Sequence, residues 1–295
     1  SPERSDPASP GSPALGSCSP TTQETPSSTY SIRLPVARSA PLERALLQAL
    51  AVLEPPQEVS LADYCDRNVV LPSTSAEPGE WSSDRAPFQR GIMDVLDDPA
   101  ISEVVVVKPT QAGVSQLLCN WGAKLIDTDP CGMTIAQPTD EELREFFLLK
   151  LYPLIESTPA LKRRITAARR GESGGSTAVR LMFPGGFLQG ASASSPASLQ
   201  SRSTRIAIGD EIDEWPATSG DGGDPWLQLV ARTRTFWNRK VVAIGKPKIE
   251  ATSRIARLYQ ESDRRRFHVP CPVCGVAQVL KWSQARWPED RPDLH

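Results

Sequence analysis

Four consecutive valines, Val104 to Val107, run straight into Lys108-Pro-Thr-Gln-Ala-Gly113-Val114-Ser115, and no other stretch limits the fold so tightly. A β-branched run favours a strand buried on both faces of a sheet. Pro109 and Gly113 break that run, and from Gly113 to about Ile126 the apolar residues recur at helical spacing. Strand, tight loop and helix in immediate succession are the repeating unit of α/β domains. The loop also has chemical potential, because backbone N–H groups at a helix amino end point outward and attract anions.

The alternation continues along the chain. A helix is expected at about 87 to 98, a strand at Met133 to Ala136 and a helix at about 140 to 151. Short strands follow near 179 to 189, then strands at Arg205 to Gly209 and Lys240 to Gly245. This predicts an α/β domain with a mainly parallel central sheet flanked by helices. The chain has 295 residues, 39% of them hydrophobic, which suits one main core. That core is expected to occupy residues 81–266, from Trp81 onward. Residues 1–40 are dominated by Ser, Pro and Thr and are expected to be disordered. Residues 41–80 read as a short helical segment, Leu42 to Leu53, closed by Pro55 and Pro56, and a linker.

Lys and Arg number 33 against 35 Asp and Glu, so the net charge of -2 exerts no overall pull on nucleic acid. Local runs differ: Leu161 to Arg180 has six basic residues and one acidic, and Ala231 to Arg266 has eleven against three. Such runs suit a phosphate track or a solvated face equally well. Six scattered cysteines do not resemble the dense framework of a small secreted domain, and no apolar run could span a bilayer. A soluble, intracellular protein without membrane contact is expected.

The loop only partly meets the pattern G-x-x-x-x-G-K-[ST]. Lys108 stands where the first glycine belongs and Val114 where the lysine belongs, but Ser115 is in register to hold magnesium. A second signal is Arg205-Ile-Ala-Ile-Gly-Asp210-Glu211, a short apolar strand ending in two carboxylates. In a P-loop sheet a strand-terminal Asp lies beside the loop hydroxyl and shares its Mg²⁺, while the following Glu polarises the attacking water. The competing reading is a solvated acidic turn, since Asp213 and Glu214 extend the run. Loop and carboxylate pair in this order predict a P-loop NTPase.

These residues also carry a resemblance. From about Leu61 to Trp282 the chain resembles the ATPase region of lambda-type terminase large subunits, the packaging motors of tailed phages. The resembling pieces are Trp81, Pro87 to Asp94, Lys108 to Ser115, Gln137-Pro-Thr139, Gly185 to Gly190, Ser198 to Arg202, Asp210-Glu-Ile-Asp213, Gly223-Asp-Pro225 and Pro270 to Gly275. The resemblance implies an ATP-driven, Mg²⁺-dependent translocase for double-stranded DNA in the bacterial host cytoplasm. Its implied partners are a terminase small subunit, the portal protein of the prohead and further copies of itself.

By that resemblance Lys108 contacts the β- and γ-phosphates, and the backbone of Gln111, Ala112, Gly113, Val114 and Ser115 cradles them. Ser115 and Asp210 hold Mg²⁺, Glu211 is the catalytic base and Gln89 reads adenine. Arg232, Arg234 and Arg239 are candidates to stabilise phosphoryl charge, and Arg163, Arg164, Arg169 and Arg170 to face DNA. One segment departs from the family: Gly245-Lys-Pro247 lacks the Ser or Thr expected there, which touches coupling rather than nucleotide binding. The family's nuclease lies carboxyl-terminal to the motor, so this chain is expected not to cut DNA.

Residues 267–295 hold Cys271-Pro-Val-Cys274, whose spacing is half of a zinc ribbon. Two further ligands would have to come from elsewhere, His268 and His295 being conceivable, so the expectation is an unmetallated knuckle or substoichiometric Zn²⁺. Two other functions fit parts of the pattern. A helicase would need a second motor domain, for which residues after 266 leave no room. A degenerate fragment would bind nucleotide or partner subunits without turnover.

Overall fold

A computed structural model of the chain describes residues 59–171, 178–249 and 251–286. The expected amino-terminal tail, the helix at 42–53 and His295 lie outside the described residues. The first helix of the described residues is α1 (Leu61–Asn68), whose first turn is capped by the Ser60 hydroxyl accepting from the Asp63 N–H. A two-stranded ribbon follows, β1 (Val70–Leu71) against β2 (Gly79–Glu80), then α2 (Pro87–Asp97), with Pro87 at a first-turn position. Leu61, Tyr64, Cys65 and Val69 are buried in the same core as the sheet, so that core reaches upstream of Trp81.

The central sheet has six strands. In chain order they are β3 (Glu103–Val107), β4 (Gly132–Gln137), β5 (Arg180–Phe183), β6 (Gly186–Ser192), β7 (Ile206–Gly209) and β8 (Lys240–Gly245). Their spatial order is β3-β8-β7-β4-β6-β5. Every neighbouring pair is parallel except the β5–β6 hairpin at the far edge. The expected α/β architecture is therefore present. The valine strand itself differs from expectation: β3 is an edge strand with alternating exposure, and Val107 is exposed. The strands buried on both faces are β4, β7 and β8, where small residues such as Ala136, Ala207 and Ala243 alternate with Ile and Val.

Alternation along the strands sorts the core into two layers. Val104, Val106, Ile135, Ile208 and Ile244 face a layer with α1, α2, α3 (Val114–Thr128), α4 (Asp140–Glu145), α5 (Tyr152–Ser157) and α6 (Pro159–Gly171). Ala136, Ala207, Val241 and Ala243 face the other, with α7 (Pro196–Leu199), α8 (Pro225–Ala231) and α9 (Arg254–Glu261). The single helix expected at 140–151 is instead interrupted by a π-helical turn, Phe146–Leu151. Pro153 has no N–H, so the α-helical bond to Leu149 cannot form there. A two-stranded hairpin, β9 (Val269–Pro270) with β10 (Ala277–Gln278), follows, and a short helical turn, Trp282–Gln284, comes after it.

Lys240 ties the sheet to α2. Its ammonium is buried and donates to the carbonyls of Val95, Leu96 and Asp98, at 3.0, 2.7 and 2.7 Å. Those are carboxyl-end groups of α2, which a cation satisfies and whose dipole it complements. The start of β8 thereby fixes the helix whose other end reaches the loop at Lys108.

Candidate active site

The loop between β3 and α3 is shaped by two left-handed residues, Gln111 (φ 60) and Gly113 (φ 73). Gly113 is the amino cap of α3, and it has a second reason to be glycine. A Cβ there would sit 2.7 Å from Nε2 of Gln89. Gln89, in the first turn of α2, is only 4% exposed and donates through Nε2 to the Ala112 carbonyl at 2.8 Å. Its Oε1 is buried with no partner among the described residues. A buried amide oxygen without a donor marks a place where a ligand N–H would be favoured.

Beside Gln89 is a cavity of about 550 Å³, within the range of small-molecule sites. The loop lines it through Gln111, Ala112 and Gly113, α2 through Phe88 and Gln89, and the β1–β2 region through Trp81.

At the other end of the loop the polar groups converge. Lys108 is buried, and its Nζ forms an ion pair with Oε1 of Glu211. Ser115, in the first turn of α3, donates from Oγ to Oδ2 of Asp210 at 3.0 Å. Asp210 Oδ1 accepts the Glu211 N–H at 3.1 Å, and the Asp210 carbonyl accepts from Trp215 Nε1 at 2.9 Å. Strand β8 joins the two halves: Lys108 N–H donates to the Gly245 carbonyl at 3.1 Å and Ile212 N–H to the Ile244 carbonyl at 3.0 Å. The carboxyl ends of parallel strands are where an α/β sheet presents ligands to its loops.

The acidic run resolves into two pairs with different work. Asp210 and Glu211 turn toward the loop, whereas Asp213 accepts the N–H of Ile255 at 2.7 Å and of Lys248 at 3.3 Å. Glu214 pairs with Lys248. The second pair therefore anchors the exit of β8 and the start of α9.

The arginine candidates are placed elsewhere. Arg239 precedes β8 and pairs with Glu103 at 3.4 Å, at the opposite end of a six-residue strand. That strand is about 20 Å long at ~3.3 Å per residue. The Arg232 carbonyl accepts the N–H of Thr204, just before β7, so it lies at the same amino edge of the sheet, and Arg234 follows it. Among the described residues no hydrogen bond or ion pair joins any of the three to the loop of its own chain. Within the long basic run Arg254 is also engaged, donating to the carbonyls of Ile212 and Pro216 at 2.6 and 3.2 Å. On α6, Arg163 is exposed, while Arg164 donates to the Asp127 carboxylate at 3.0 Å and to its carbonyl at 2.7 Å. The side chains of Arg169 and Arg170 lie outside the described residues.

Cys271 and Cys274 sit at the turn of the β9–β10 hairpin, closed by Cys271 N–H to Val276 O at 2.9 Å and Gly275 N–H to Cys271 O at 2.8 Å. Among the described residues no third Cys, His, Asp or Glu joins them in a metal-sized cluster.

Sequence reasoning did not assign a role to Gln137. Its side chain donates from Nε2 to Asp210 Oδ2 at 3.3 Å. The residue was legible as the one following a strand, but its neighbour depends on β4 pairing with β7, which no local pattern encodes.

Comparison with known proteins bears on the family and the fold. The profile of the phage terminase large subunit gpA ATPase domain matches residues 75–294. The chain is similar to the terminase large subunit of Enterobacteria phage P21, 26% identical over 260 residues, covering 84% of this chain and 40% of the relative. It is also similar to the terminase large subunit of Escherichia phage lambda, 28% identical over 235 residues, covering 79% of this chain and 36% of the relative. It therefore spans about two fifths of the length of these curated relatives. Among solved structures, the large terminase of bacteriophage HK97 shares the fold, with a TM-score of 0.50 at 13% identity over 64% of this chain and 38% of that one. With the matched profile covering most of its length, the chain belongs to the phage terminase large subunit gpA ATPase domain family.

Proposed function

We propose that this chain is the ATP-hydrolysing motor of a terminase large subunit, turning over ATP with Mg²⁺ to drive double-stranded DNA. The observation that carries the proposal is the convergence of Lys108, Ser115, Asp210 and Glu211 at the carboxyl edge of the sheet. Their chemistry fits the expected ligands. Ser115 Oγ and Asp210 Oδ2 are hard oxygen donors 3.0 Å apart, suited to Mg²⁺, which tolerates few protein ligands. When bound, the cation would neutralise charge that develops on the phosphates. The backbone from Gln111 to Ser115 cradles the phosphates, with the Lys108 ammonium beside the β- and γ-groups. Glu211 accepts the proton of the water whose oxygen attacks the γ-phosphorus, as the bond to the ADP oxygen breaks.

The base has its own support. Gln89 lines the cavity and carries one buried acceptor without a partner among the described residues, and an exocyclic amino group such as that of adenine would donate to it. On this reading the DNA, the small subunit, the portal protein and neighbouring copies act outside the residues that hold nucleotide. Action in the host cytoplasm follows from the same reading. Arg232, Arg234 and Arg239 would then serve a neighbouring copy's phosphates rather than their own. The Cys271–Cys274 knuckle offers two thiolates, and we expect less than one equivalent of Zn²⁺ by atomic emission. A full equivalent that disappears in Cys271→Ser would show a complete site.

The test is steady-state ATP hydrolysis by the purified chain, with and without double-stranded DNA. Mg²⁺-dependent turnover is expected. Tight nucleotide binding with no turnover in either arm would instead identify a binding-only chain.

A further inference from the structure

Asp210 is held more firmly than a metal-sharing carboxylate needs if Ser115 is its one side-chain partner. Its Oδ2 accepts from Ser115 Oγ at 3.0 Å and also from Gln137 Nε2 at 3.3 Å. The register explains the meeting: Ala136 of β4 pairs with Gly209 of β7, so the next residues, Gln137 and Asp210, stand side by side at the carboxyl ends of these strands. The Asp210 N–H donates to the Ala136 carbonyl at 3.0 Å, which fixes the backbones on which both side chains stand. Gln137 is itself buried, and its carbonyl accepts the Ala193 N–H at 2.9 Å, so the end of β6 fixes its main chain as well.

The residue type matters. A lysine at this position would also hold the carboxylate, but its charge would compete with a cation for Asp210. A neutral amide donor orients the carboxylate without neutralising it. Ser115 cannot do this alone, because its oxygen is the other group a cation would take. An outer partner that donates to a ligating carboxylate tunes metal affinity without touching the metal.

Resting on the ATPase reading above, we infer that Gln137 is a positioning residue: it holds the Asp210 carboxylate beside Ser115 and sets how strongly Mg²⁺ tightens nucleotide binding. The side-chain amide is the active part, and it acts through Asp210.

The experiment measures binding rather than turnover. A fluorescent, non-hydrolysable ATP analogue is titrated onto the full chain with and without Mg²⁺, and the ratio of the two Kd values gives the tightening. Gln137→Met keeps the volume and removes the donor, while Gln137→Asn keeps the amide but is one methylene too short to reach. In both variants the tightening by Mg²⁺ should fall roughly tenfold or more, in line with outer-partner changes at metal sites. Affinity without Mg²⁺ and the thermal midpoint without nucleotide should stay near those of the parent. Unchanged tightening in the variants would overturn the proposal. So would loss of folding in both, because the role would then be structural. A parent chain whose affinity Mg²⁺ does not alter would overturn the nucleotide-site reading itself.

Discussion

Lys108 and Glu211 lie 103 positions apart in the chain and form one ion pair at the carboxyl edge of the sheet. The ammonium at the mouth of the loop and the carboxylate that follows β7 are thus within one contact of each other. The ion pair makes separable predictions for the two residues, because one group would meet phosphate and the other water.

Replacing Lys108 with Ala removes the ammonium that would meet the phosphates, and Val114, in the place where the usual pattern has lysine, offers no charge. Hydrogen bonds to a charged group contribute about 1.5–3 kcal/mol, so a fluorescent ATP analogue should bind roughly ten- to a hundredfold more weakly. Binding at the parent's affinity would overturn the assignment of this loop.

Glu211→Gln should leave binding nearly intact and slow turnover on the order of 10²- to 10⁴-fold, the usual range for loss of a general base. The neutral amide keeps the shape but cannot take a proton. Parallel losses of affinity and rate would place Glu211 in a structural or metal-holding role instead.

Gly113→Ala tests the loop's backbone. An alanine in the left-handed region costs about 1–2 kcal/mol, and its Cβ would also meet Nε2 of Gln89 at 2.7 Å. A fall in thermal midpoint of roughly 2–8 °C is expected, together with weaker nucleotide binding. Gly91→Ala in α2 is the control, since a Cβ there meets nothing within 4 Å and alanine favours a helix. Equal effects at both positions would remove the special status of Gly113.

Burial pushes the Cys119 thiol up to about 12 and the Cys131 thiol up to about 11, in each case chiefly through loss of hydration. Both folded-state values lie above the unfolded one of about 8.5. The corresponding stability is therefore complete below about pH 8.5 and is lost as pH climbs toward 11 to 12. Urea midpoints should fall between pH 8 and pH 10.5, and Cys119→Ala should shrink that fall. At pH 8 a thiol reagent followed by peptide mapping should label Cys271 and Cys274 in the native chain. Cys65, Cys119 and Cys131 should react only after unfolding.

Much of this site was legible in the sequence, because its signals are local. Ser115 stands at a fixed distance from Gly113, and Asp210 and Glu211 end a short apolar strand, so chain order alone proposes their chemistry. What stayed hidden depends on which strands lie side by side. Four valines read as a doubly buried strand, yet β3 is an edge, since burial is set by neighbours and not by the strand's own residues. The same gap hid Gln137, and it left open which copy's phosphates Arg239 would face until the direction of β8 put it at the far end from its own loop. The division of the acidic run was illegible for a related reason. Only the approach of Ile255 and Lys248 separates Asp213 and Glu214 from their neighbours.

The position of β8 has a consequence for how the site comes into being. Residues 240–245 lie between β3 and β7, so the two halves of the site share no strand pairing of their own. Every side chain proposed to hold or attack the chain's own nucleotide lies between Gln89 and Glu211, yet their alignment waits on a segment about thirty residues further along. A nascent chain that has left the ribosome only as far as Arg239 would carry the complete chemistry and remain inert. Insertion of one central strand, closing sequence-distant contacts that are slow to form, would switch it on.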